Sequence, residues 1–182
     1  MIIAQQKRNE NIIEYMLYMW QVEDIIRASN LDIKKIDQTI IPSYKAEPDK
    51  IIAIRDWWES LAEMMKIEKK ETSGHIQVIT NLMNEVNKLH TMLLRSTRMA
   101  VYINAYQRSL PHIRQFELKS AAPFSNDIEC CLTAIYSTFL LKLSNKKINP
   151  ETQQALESMT SFLSQLARNF KLYEEGDLEL DK

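Results

Sequence analysis

Glycine stands at only two of the 182 positions, Gly74 and Gly176. Because glycine supplies the positive φ angles of tight hairpins and phosphate-gripping loops, this scarcity argues against many strand-based and nucleotide-binding folds. No stretch alternates apolar with polar residues long enough to predict a strand. Apolar residues instead recur every three or four positions through most of the chain. The fold class read from this pattern is all-α: a single-domain helical bundle over residues 1–176, with about five long helices and one short one, then a short acidic tail at 177–182 that reads as frayed.

The first helix is expected from about Gln5 to Ala28, with Ile12, Tyr15, Met16, Met19, Val22 and Ile26 on one face and Ile13, Leu17 and Trp20 widening it. Leu31 to Ile41 reads as a short helix or turn. Pro42 and Pro48 bracket a polar connection, and Pro48-Asp49 opens the next helix, whose stripe is Ile51, Ile54, Trp58, Leu61 and Met65. A turn at Lys69–Gly74 leads to a helix with Ile76, Ile79, Met83, Val86, Leu89 and Leu93 on one face, which predicts a helical hairpin. Ser96 or Thr97 caps a further helix, where Pro111 is expected to cause a kink or an end near Leu110. Ser125 reads as the cap of the next helix, with Ile128, Leu132, Ile135, Phe139 and Leu143 facing inward. Asn149, Pro150 and Glu151 give the last helix a cap, a first-position proline and a dipole-complementing acid, and Gly176 ends it. One up-and-down bundle with a long crossover is the simplest arrangement.

Apolar residues at 45% and charged residues at 26% suit a globular protein that needs no metal or disulfide staple. The net charge is −1, with nine basic against five acidic residues over 71–147 and three against seven from 148 onward. So weak a basic excess disfavours nucleic acid as a partner. Cys130 and Cys131 are adjacent, and on a helix their side chains diverge, so two reduced buried thiols are expected. The amino terminus has its charges after an apolar start, the wrong order for a secretory signal, and no apolar run approaches a bilayer span. A cytoplasmic protein with no membrane partner is the reading.

Chemistry-bearing motifs are sparse. A carboxylate-bridged di-metal bundle needs Glu-x-x-His on two helices, and Thr72, Asn87 and Ser109 stand three residues before His75, His90 and His112. HExxH, GxSxG, Walker and dinucleotide fingerprints are also missing, so no metal, no cofactor and no catalytic residue is assigned. The best polar cluster is Trp20, Glu23, Asp24 and Arg27. Its two acids flank an apolar surface, and Arg27 lies within helical reach of both, either as an internal ion pair or as one side of a binding pocket. Trp57 beside the core residue Trp58 reads as a secondary face, for a partner helix or for the core. His90, at the edge of the Val86–Leu93 stripe, reads as half-buried with a local hydrogen-bond partner, and His75 and His112 as solvent-facing.

Tyr18-Met19-Trp20-Gln21-Val22-Glu23-Asp24-Ile25-Ile26-Arg27, together with Pro150-Glu151-Thr152 and Phe162-Leu163, resembles a family of short, uncharacterised all-helical bacterial proteins found chiefly in Bacteroidetes. The resemblance covers nearly the whole length. It implies a stand-alone protein without an assigned activity, cofactor or catalytic residue. Two functional readings follow from the residues. One is a helical interaction or scaffold protein that forms a homodimer through an apolar face left over from the bundle, with an unidentified protein partner also open. The other is a small-molecule-binding bundle, or an enzyme, with a pocket near Trp20, Asp24 and Arg27 and with Trp57 or His90 contributing.

Overall fold

A computed structural model describes residues 2–181 of the chain. Among the described residues all regular structure is helical, as the glycine scarcity and the apolar spacing predict. The α-helices are α1 (Ile2–Glu10), α2 (Ile12–Ala28), α3 (Ile33–Thr39), α4 (Pro48–Ile67), α5 (Gln77–Arg95), α6 (Ala100–Lys119), α7 (Asp127–Leu143) and α8 (Pro150–Glu175), with 3-10 turns at Ile41–Ser43 and Thr97–Met99. Eight helices rather than six arise partly because the long first helix is broken at Asn11. There the Asn11 Oδ1 accepts the Ile13 N–H at 3.0 Å, a side chain taking a bond that would otherwise continue the helical ladder.

The chain divides into two compact units. One comprises the residues through Glu10 with Glu14–Asn81, the other Asn11–Ile13 with the residues from Leu82 on. Helix α5 crosses the boundary between them without interruption.

In the first unit, α3 packs on α4 and on the 3-10 turn at Ile41–Ser43. Asp32 caps α3 by accepting the Lys34 N–H, and Arg55 Nε of α4 donates to Asp37 of α3 at 3.0 Å. Pro48 occupies the first position of α4 with Asp49 in its first turn, as expected. Met16, Met19, Val22, Ile26, Ile36, Ile54, Trp58, Leu61 and Met65 are all buried.

In the second unit, α6, α7 and α8 pack on one another in all three pairs. Met159, Phe162, Leu163, Leu166 and Phe170 give α8 its buried stripe, and Met83, Val86, Leu89 and Leu93 do the same for α5. Asn149 caps α8 by accepting the Thr152 N–H at 2.7 Å, and Gly176 closes it at φ 80°.

Several local expectations fail. Pro111 does not end α6, which runs on to Lys119. A proline removes only one ladder donor, and the packing of α6 on α7 and α8 keeps the flanking turns in register. The cap of α7 is Asn126 rather than Ser125. The Asn126 Oδ1 accepts the Glu129 N–H at 2.9 Å while Glu129 reaches back to the Ser125 N–H at 2.7 Å, a reciprocal capping pattern. Phe139 and Leu143 do not face inward, being 37% and 64% exposed. In the tail beyond Gly176, Glu179 and Asp181 are bonded to the α5–α6 corner.

Scarce glycine does not leave helix ends unfinished. Asn30, Leu31, Lys69 and Asn145 adopt left-handed conformations at φ near 55° and end α2, α4 and α7. In each case a backbone N–H folds back onto an unused carbonyl, as Leu31 N does to Ile26 O at 2.9 Å and Lys70 N to Met65 O at 2.8 Å.

Candidate functional site

The sequence-derived cluster in the first unit assembles differently from the way its helical spacing suggests. Arg27 pairs with Asp24, Nη1 to Oδ1 at 2.9 Å, but Glu23 turns to another segment. Glu23 is 1% exposed, and its Oε1 accepts the Ile76 N–H at 2.9 Å while its Oε2 meets His75 Nδ1 at 2.5 Å. The ring of Trp20 lies flat against His75, centroids 4.4 Å apart and planes 11° from parallel. Arg27 extends the same grip, donating to the carbonyls of Lys70, at 3.2 Å, and Gly74. Two helical turns of α2 therefore hold the Lys70–Ile76 segment through a carboxylate, a guanidinium and an aromatic face. A buried carboxylate is tolerated only when donors replace its water, and His75 and the Ile76 amide supply them here.

His75 is the member that sequence reasoning misses. A buried acid on an apolar stripe signals that some donor must exist. Arg27, four residues away, satisfied that demand on paper, whereas the true donors lie more than fifty residues distant.

His90 sits in the second unit. It is 6% exposed, with Nδ1 at 2.6 Å from the Tyr102 hydroxyl and the rings of Tyr106 and Phe162 edge-on to it. Burial pushes its pKa down, against a smaller upward pull from Asp127, so the imidazole is neutral at pH 7. The hydroxyl of Tyr106 donates to Asp127 at 2.5 Å, and Arg114 forks onto both oxygens of the same carboxylate at 2.8 and 3.1 Å. Burial raises the pKa of both tyrosines, which keep their protons. Cys130 and Cys131 are reduced and buried, as expected, and burial pushes the Cys130 thiol up to about 12. A thiol so far from ionisation is a poor nucleophile and a poor metal ligand.

Trp57 is half-buried and meets Trp58 edge-on at 5.5 Å. The structure thus brings Trp20, Glu23, Asp24 and Arg27 together with His75, while Trp57 and His90 make separate contacts. Among the described residues, no group of three or more His, Cys, Asp or Glu side chains is arranged to hold a metal, and no helix is long and apolar enough to cross a membrane.

Four surface hollows are lined by residues outside these clusters. One of them, about 700 Å³, lies between α1 and α4 and is lined by Gln5, Gln6, Asn9, Glu10, Lys50, Ala53 and Ile54. Two more, about 350 and 270 Å³, flank the last turns of α7 against α8 and α6. Those turns are the most conspicuous apolar surface of the second unit: Phe139, Leu140, Leu141 and Leu143 are 37%, 41%, 39% and 64% exposed. Because they occupy nearly consecutive positions, they surround the helix rather than forming one stripe. Lys142, Lys146 and Lys147 stand among them, Glu151 and Glu157 follow on α8, and all five are exposed.

Neither the curated proteins nor the solved structures provide a match. The resemblance to an uncharacterised family does stand: over residues 1–177 the chain matches the family described as a domain of unknown function, DUF4924, and it belongs to that family.

Proposed function

We propose that the protein is a helical interaction module that associates with a second copy of itself through the end of α7. The observation that carries this reading is the exposure of four large apolar side chains around the last turn and a half of that helix. Contiguous apolar surface of this kind marks interaction sites, since leaving it in water forfeits about 25 cal/mol for every Å² that could be buried. The surrounding charges favour another copy as the occupant. The patch carries lysines at 142, 146 and 147 and glutamates at 151 and 157, so a two-fold pairing can set the lysines of one copy against the glutamates of the other.

A pocket at Trp20, Asp24 and Arg27 is the weaker reading, because the Trp20 face is covered by His75 and the Arg27 guanidinium is engaged by Asp24 and two backbone carbonyls.

Light scattering on the eluting protein tests the proposal. The expected mass is about twice the 21.4 kDa of one chain, falling to that of one chain in Leu141→Lys, Leu143→Glu. A wild-type mass of one chain across the concentration range, or an unchanged mass in the double variant, overturns it.

A further inference from the structure

The charged residues near the end of the described chain are bonded across 84 residues of sequence to the corner between α5 and α6. One oxygen of Asp181, Oδ2, accepts three donors there: the Thr97 N–H at 2.5 Å, the Thr97 hydroxyl at 3.0 Å and the Ser96 hydroxyl at 3.1 Å. Arg98 completes the arrangement, with Nε at 3.5 Å from the other Asp181 oxygen and Nη1 at 2.8 Å from Glu179. Ser96 is 4% exposed, and its Oγ also accepts the Arg98 N–H at 3.3 Å, which fixes the hydroxyl in place. The corner is therefore built by the fold, while what fills it is a flanking segment. We propose that Ser96, Thr97 and Arg98 form a binding site for an extended acidic peptide with carboxylates two residues apart, and that the chain's own Glu179–Asp181 occupies it in cis.

Exposure of the bonds supports exchange rather than permanent closure. The bonds lie at the surface: the side chains of Arg98, Glu179 and Asp181 are 55%, 83% and 38% exposed, and solvated ion pairs of this kind are individually weak. Donation by Thr97 and Ser96 nonetheless holds the Asp181 carboxyl below its ordinary pKa, so the ligand binds as the anion. The occupant is also tethered by only a few residues beyond Gly176, which gives it an effective concentration on the order of 1 mM. A separate peptide of the same chemistry with a Kd of about 0.1 mM must then compete at a disadvantage of about tenfold.

The test uses the full chain carrying Glu179→Gln and Asp181→Asn, titrated calorimetrically with a synthetic peptide reproducing residues 176–182. Binding is expected about tenfold tighter than to the wild-type chain. It should disappear when the peptide carries the same two neutral substitutions, and again when Arg98→Ala is added to the protein. Absence of binding to the substituted chain at about 1 mM peptide, equal binding of the neutral peptide, or indifference to Arg98→Ala overturns the proposal. Amide exchange gives a second readout that needs no peptide: Thr97 should exchange about tenfold faster in Asp181→Asn than in wild type, and an unchanged rate refutes the contact.

Discussion

His90 joins burial, bonding and charge in one side chain. Its pKa is lowered in the folded protein, so below the ordinary histidine value of 6.5 the unfolded chain binds the proton that the folded chain resists. The stability this arrangement contributes is complete above pH 6.5 and is lost as pH falls through the folded-state value. Urea unfolding between pH 7.5 and 5 should show a declining midpoint in the wild type and a flatter one in His90→Gln, which keeps a polar group near the Tyr102 hydroxyl without a titrating ring. Equal slopes in the two proteins would refute the assignment. Glu23 makes a complementary point: its carboxylate is affordable in the interior because His75 and the Ile76 amide solvate it. That partnership is tertiary, and helical spacing cannot reveal it, which is why Glu23 was legible as a special residue while its partner was not.

Helix positions were largely legible because each depends on nearby residues. The Asn149-Pro150-Glu151 start, the Gly176 stop and the buried face Ile76–Leu93 all follow from spacing within one helix. What local pattern could not supply was where a helix runs out of neighbours. Ile128 and Leu132 are buried while Phe139 and Leu143 of the same stripe are not, because periodicity gives the direction of a side chain and not the length of the element facing it. At Pro111 the helix does not stop for a related reason: local chemistry allows an end there, and packing on two other helices overrides it. The lost ladder bond remains a local cost, so Pro111→Ala, at an exposed position, should stabilise the protein by about 1–3 kcal/mol, read as a higher urea midpoint at unchanged m. A lower midpoint would mean that the proline's restriction of the unfolded chain outweighs the missing bond.

For the molecule as a whole, the decisive feature is α5, a single helix whose first residues belong to one compact unit and whose remainder belongs to the other. Helix formation is cooperative along its length, so melting one part of α5 weakens the other. Scanning calorimetry should accordingly give one unfolding transition with equal calorimetric and van't Hoff enthalpies. Val86→Gly, placed at a fully buried position in mid-helix, should lower that single transition rather than split it. Two resolved transitions in the wild type would show that the units fold independently.

All three tryptophans, Trp20, Trp57 and Trp58, fall within Glu14–Asn81, and the stretch from Leu82 on contains none. Indole fluorescence is consequently a reporter of one unit alone, and of the Lys70–Ile76 grip in particular, since the His75 ring stacked on Trp20 is positioned to quench its emission. The unfolding of that unit can therefore be followed by light without adding a label.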